Sequence, residues 1–242
     1  MVAPSQVDDD RLVLGGDEAK HLKKVLRAKI GDTFYAIDGT GLKYRVVIDS
    51  LSGANVKGII SNITRLENEP YHDICLAMGV CRPAKMDHIV EKCTEIGVSS
   101  FEFYYSEKSY SKIKKNLSST RKVSRLRRII TAAAKQSKRS ILPSVAEFKT
   151  YSEIVALSDK FDLSLAAVCR DSAKPIEKVI DKSGNSKKIL LLVGPESGFS
   201  DDEIETASNA GFKTVSLGPR RLRAETAGII FPTIVLNHLG DL

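Results

Sequence analysis

Two glycine-punctuated segments near the C-terminus hold residue types that could do chemistry: LLLVGPESGFSDDEI over 190–204 and VSLGPRRLRAETAG over 215–228. Each passes from an apolar run into a Gly-Pro turn and then into a helix start. The second carries Arg220, Arg221 and Arg223 just before Glu225. A fixed guanidinium is planar, always charged and multiply donating, so it suits negative charge that develops in a reaction. A carboxylate beside it can orient it or take a proton. Two closely spaced strand-to-helix turns predict loops facing one ligand at the carboxyl ends of parallel strands. On composition alone, two ordinary βα connections would account for the same pattern.

The elements that must position these loops are legible in part. Ile189–Val193 is a continuous apolar run, short enough for a strand buried on both faces. Gly194 and Pro195 break it, and Ser200 with Glu203 forms a capping box for the next helix, which Gly211 stops. Thr214–Leu217 is the second strand, and a last helix starts near Glu225, with Thr226 as its expected cap. Upstream, strands are expected at Ile74–Val80, Phe101–Tyr105 and Leu163–Val168. A helix from Pro83 to Gly97 buries Met86, Ile89, Val90, Cys93 and Ile96. This alternation predicts a largely parallel sheet covered on both faces. Before NEPYHD, at 68–73, a helix over Asp17–Ala28 precedes strands at Thr33–Ile37, Leu42–Asp49 and Val56–Ile63, with hairpin turns DGTG and SGAN. The chain thus divides into a small β-barrel over 1–70 and an α/β domain over 71–242.

Several function classes are disfavoured. There is no G-x-G-x-x-G after an early strand and no P-loop, which argues against a Rossmann dehydrogenase or an NTPase. Cys75, Cys81, Cys93 and Cys169 form no CxxC pair and read as small buried hydrophobes; His21, His72, His88 and His238 are scattered, so no metal site is expected. No apolar run approaches the ~20 residues of a membrane span, and the acidic N-terminus is not a secretory signal, so a cytoplasmic location is expected.

Charge points to a partner. The formal net charge is +7, and Lys108 to Arg139 holds twelve Lys or Arg and no acid. A helix over about Thr120–Lys138 buries Val123, Leu126, Ile130, Ala133 and Ser137, leaving the cations outward. Such a run is usually a solvated face, but a one-sign surface of this size favours a polyanion such as RNA.

Spacing and identity together resemble the SPOUT methyltransferases, and within them the RsmE family. GPESGFSDDE followed by SLGPRRLRAETA is similar to the family's G-P-E-G-G-[FL]-S-x-x-E and L-G-x-R-[IV]-L-R-x-E-T-A. HLKKVLRAKIGDTFYAIDGTG (21–41), KMDHIVEKCTEIGV (85–98), SEKS (106–109) and AAAKQSKRSILP (132–143) resemble further family blocks in the same order. Ser197 stands where the family has Gly, Lys108 where it has Arg, and Lys135 where it has Glu; the N-terminus lacks the family's short Arg-aromatic start.

The resemblance implies a trefoil-knotted α/β domain after a PUA-like, RNA-binding barrel, a homodimer, and S-adenosylmethionine as cofactor. Leu192, Val193, Gly194, Glu196, Gly198, Leu217, Gly218, Leu222 and Thr226 would hold that cofactor. The reaction implied is methylation of N3 of one uridine in 16S ribosomal RNA of the small ribosomal subunit, with Arg223 and Glu225 as catalytic residues. Arg27, Lys108, Lys112, Arg127, Arg128, Lys138 and Arg139 are the expected RNA contacts. A SPOUT enzyme for another RNA position, such as a ribose 2′-hydroxyl, or a non-catalytic RNA-binding or ribosome-assembly protein are the alternatives.

Overall fold

The computed structural model describes residues 1–106, 119–170, 173–180 and 186–242. Two compact units divide it: Met1–Glu69 with Ala134–Leu142, and Pro70–Ala133 with Pro143–Leu242. No described helix is long and apolar enough to cross a membrane.

In the first unit, β1 (Val7–Asp8), β2 (Arg11–Leu14), β3 (Thr33–Ile37), β4 (Leu42–Ser50) and β5 (Val56–Arg65) form an antiparallel sheet in the order β1-β2-β5-β4-β3. Strand alternation sends Tyr44, Val46 and Ile48 inward, where they join Leu12, Leu14 and Val56 in one core, while Arg45 faces out. The Asp17–Ala28 helix is shorter than expected. It is α-helical over Gly16–Lys20 (α1), and His21–Val25 then widens into a π turn in which Leu26 N–H donates to His21 O at 3.1 Å.

Residues 134–142 join this unit through main-chain bonds, Leu142 N–H to Gly39 O at 2.9 Å and Gly41 N–H to Ser140 O at 3.1 Å. Under them lies a buried ion pair. Glu69 Oε2 accepts from Arg139 Nη2 at 2.8 Å, and Oε1 accepts from the Ser140 and Ile141 N–H groups at 2.6 and 2.9 Å.

In the second unit, β6 (Asp73–Gly79), β7 (Ser100–Tyr105), β8 (Ser144–Val145), β9 (Lys149–Thr150), β10 (Leu163–Ala167), β11 (Lys174–Pro175), β12 (Lys188–Val193) and β13 (Lys213–Ser216) build a sheet in the order β11-β13-β10-β12-β6-β7-β8, with β9 also on β7. Every pairing is parallel. The expected strands are present within one or two residues. The central ones read as unbroken apolar runs because helices cover both faces. The helices are α2 (Pro83–Ile96), α3 (Ser119–Gln136, whose residues from Ala134 on belong to the first unit), α4 (Tyr151–Val155), α5 (Asp201–Asn209) and α6 (Ala224–Leu239). α2 and α6 pack together, with α6 against β6 and β12. On the other face Cys75, Ala77, Leu190 and Leu192 pack with Ile154, Ala207 and Phe212. Along α2 the expected stripe is buried except for half-exposed Ile96; Thr94 is buried instead, its hydroxyl satisfied by Val90 O at 2.7 Å.

α3 ends two residues before the expected boundary. Lys138 takes a left-handed φ of 60°, and Arg139 N–H returns to Ala134 O at 3.0 Å, a Schellman-type stop. This turns Arg139 inward toward Glu69. The expected phosphate contact at Arg139 is therefore corrected: its side chain is 3% exposed and its charge is already met.

Candidate active site

Because the strands are parallel, the carboxyl ends of β6, β10, β12 and β13 lie at one end of the sheet. In register, Val193 pairs with Met78 and Ala167, and Ala167 pairs with Val215. A cavity of about 660 Å³ opens at that end, within the ~300–1,000 Å³ typical of small-molecule sites. The ends of β10 and β12, the 194–199 and 217–223 loops, and Lys85 wall it.

Local sequence explains the first loop. Pro195 O accepts from Gly198 N–H at 2.8 Å, closing a turn in which Gly198 takes the left-handed φ of 74°. The left-handed position thus falls on Gly198 and not on Ser197, so the serine departure brings no strained backbone. The capping box then starts α5: Ser200 Oγ accepts from Glu203 N–H at 3.1 Å, and Glu203 Oε2 accepts from Ser200 N–H at 2.8 Å. Gly79 ends β6 directly beneath this loop, where a Cβ would stand 2.5 Å from the Pro195 nitrogen.

The cavity brings together Val193, Gly194, Glu196, Gly198, Leu217, Gly218, Leu222, Arg223 and Glu225. Two expected cofactor residues stand apart. The Leu192 side chain is fully buried in the sheet core beside Cys75 and Phe212. Thr226 is exposed at the third position of α6, which starts at Ala224. Arg223 therefore holds the cap position, without a side-chain cap bond, and the expected Thr226 cap does not form. Cys169 also departs from the buried-cysteine expectation: it is exposed and lines the cavity.

Lys85, which sequence reasoning passed over, sits at the centre of the charge arrangement. Its Nζ lies 2.7 Å from Glu196 Oε1 and 2.9 Å from Glu225 Oε2. Bonding to Glu196, then to Glu225, raises its pKa above the ordinary lysine value. The Lys85 bond, followed by Glu225's own backbone N–H, lowers the Glu225 carboxyl below the usual carboxylate value. Burial pushes the neighbouring Cys81 thiol up to about 12, so it stays protonated at neutral pH. A lysine in the first turn of α2 opposes the helix dipole, and no acid in that turn offsets it. That mismatch, with Lys85 opening the 85–98 block, is the signal that could have found it.

The expected RNA contacts are dispersed. Arg127 and Arg128 are exposed on α3, and Arg27 and Lys138 are exposed residues with φ of 51° and 60°. Lys108 and Lys112 lie outside the described residues. Arg125 pairs with Asp87 and Lys135 with Glu18, so the cations of α3 are partly compensated by acids distant in sequence, while Lys122 stands 5.3 Å from the Phe148 ring centre. The charge reversal at Lys135 is thereby met within this chain. Among the described residues no group of three or more His, Cys, Asp or Glu could hold a metal ion.

Comparison with known proteins follows the same outline. A family model described as an RNA methyltransferase domain matches residues 67–236, and one described as an RNA methyltransferase PUA domain matches 14–61. A Synechocystis sp. protein named Ribosomal RNA small subunit methyltransferase E is 32% identical over 243 residues, covering 100% of this chain and 77% of that protein. The protein of that name from Aquifex aeolicus is 37% identical over 169 residues, covering 69% and 70%. The crystal structure of the Neisseria gonorrhoeae protein of that name, bound to S-adenosyl methionine, superposes with a TM-score of 0.83 at 25% identity, covering 97% of this chain and 94% of that one. With the fold, the cavity and matches of this extent, the chain belongs to the RsmE family of RNA methyltransferases, SPOUT-type proteins with an N-terminal PUA domain.

Proposed function

We propose that this chain transfers a methyl group from S-adenosylmethionine to N3 of one uridine of 16S ribosomal RNA in the small ribosomal subunit. The observation that carries this reading is the single cavity wall formed by Gly194, Glu196, Leu217, Leu222, Arg223 and Glu225. Its composition suits the cofactor. Aliphatic Val193, Leu217 and Leu222 would flank the adenine, the main chain at Gly194 and Gly218 would meet its polar edge, and Glu196 would accept from the ribose hydroxyls. Main chain at Leu192 would contribute where its side chain does not. Thr226 remains a proposed neighbour of the cofactor. When bound, S-adenosylmethionine supplies an electrophilic methyl group.

The chain's own residues have three tasks. They must hold the acceptor nitrogen in line, which is mainly positioning. They must exclude water from the reacting atoms, which the apolar side chains of Val193, Leu217 and Leu222 favour. They must also stabilise charge spreading onto uracil O2 and O4 as N3 gives up its proton to solvent at the open side of the cavity, the role we assign to Arg223. Glu225, kept ionised by Lys85, is a weak base, so we assign it an orienting and electrostatic role. N3 lies on the pairing edge, so the base must be unpaired or extruded first. Arg27, Arg127, Arg128 and Lys138, with Lys108 and Lys112, would contact phosphates.

The same reading carries a PUA-like RNA-binding domain over 1–70, a methyltransferase domain over 71–242 with a trefoil knot, a homodimer and a cytoplasmic location. The direct test is Arg223→Ala. Cofactor affinity should stay within about threefold while turnover falls by about 10²–10³, the loss typical of a removed charge-stabilising donor. Equal loss of both would assign Arg223 a structural role.

A further inference from the structure

Three elements far apart in sequence meet at one cation. Lys85 stands in the first turn of α2, Glu196 in the loop after β12 and Glu225 in the first turn of α6. The Lys85 side chain is 28% exposed, and its ammonium lies within 3 Å of both carboxylates, at 2.7 and 2.9 Å. Without it, the two carboxylates would stand close together as like charges. With it, one ammonium forms an ion pair with both carboxylates. The placement opposes the α2 dipole, so helix formation does not account for a lysine here.

We propose that Lys85 is a positioning residue for methyl transfer: it ties the loop that would hold the cofactor to the helix start that carries Arg223 and Glu225, and sets the two as one unit. This rests on the proposed methyl-transfer reading. Lys85 acts through Glu196 on cofactor binding and through Glu225 on the reacting end. A methionine fills the same volume without the charge. An arginine keeps the charge and offers donors to both carboxylates.

The test combines a cofactor-free measurement with kinetics. In the free protein, hydrogen exchange of segments 194–199 and 223–228 is compared for wild type, Lys85→Met and Lys85→Arg. Exchange should rise about tenfold in both segments together in Lys85→Met and return most of the way in Lys85→Arg. Exchange unchanged in either segment, or an arginine variant as loose as the methionine one, overturns the proposal whatever the substrate. In the transfer reaction, Lys85→Met should lower kcat about 100-fold and weaken cofactor binding about tenfold. Lys85→Met/Glu225→Gln should then be no slower than Lys85→Met alone, because the two residues act as one. Multiplying losses would mean independent roles and contradict it. Absence of transfer in wild type, with the exchange pattern as expected, would instead fault the assigned reaction and leave the coupling of the two segments standing.

Discussion

Lys85 and Arg139 each meet carboxylates brought from distant parts of the chain, yet their surroundings assign them different work. Arg139 and Glu69 are 3% and 4% exposed, with the remaining carboxylate oxygen taken by main-chain N–H groups. Removing one partner of such a pair leaves the other charge buried and unpaired, at a cost of about 3–5 kcal/mol. Arg139→Ala should therefore lose about 3 kcal/mol in urea unfolding while the folded fraction keeps its RNA affinity. Arg127→Ala/Arg128→Ala should do the reverse: stability within about 0.5 kcal/mol, and a salt dependence of RNA binding shallower by about 0.7 per lost phosphate contact. A salt slope unchanged in the double variant would remove these arginines from the RNA surface. The capping box at Ser200 and Glu203 could be read from sequence because both partners lie within one turn. Arg139 and Lys85 could not, because their partners lie 70 and more than 100 residues away and only the fold delivers them.

At the scale of elements, the cavity depends on how tightly β6 approaches the 194–199 loop. Gly79 leaves no room for a side chain: a Cβ would stand 2.5 Å from Pro195 N, a main-chain atom that must shift. Gly79→Ala should weaken S-adenosylmethionine binding at least tenfold in calorimetry while the far-ultraviolet spectrum is kept; unchanged affinity would mean the loop yields freely. The end of α6 is tied back to the start of β6, where Asp241 Oδ2 accepts from the His72 N–H at 2.9 Å and lies 2.5 Å from its Nδ1. Burial works to raise the Asp241 pKa, but the His72 backbone and ring bonds outweigh it and the carboxyl sits below its usual value. A depressed carboxyl adds stability above its unfolded pKa of ~3.9, and that stability is lost as pH falls through the lower folded value. Asp241→Asn should then be about 1–2 kcal/mol less stable at pH 7, the gap closing below about pH 4. A constant gap across pH would assign the loss to shape alone. The apolar runs of β6, β10 and β12 made the parallel sheet legible. The strand order was not, since periodicity does not say which strands neighbour each other.

For the whole molecule, the antiparallel-sheet unit and the α/β unit divide the proposed labour between RNA affinity and methyl transfer. A family block order from residue 21 to 228 was enough to anticipate both units and the cavity end of the sheet. It could not place residues 134–142 with the first unit, because that depends on main-chain bonds to Gly39 and Gly41. The central claim is the reaction itself. Small ribosomal subunits lacking the modification are incubated with the protein and methyl-labelled S-adenosylmethionine, and the labelled nucleotide is mapped. Label at N3 of one uridine in the 16S RNA is the predicted result, and label at another atom, or none despite measurable cofactor binding, would contradict it.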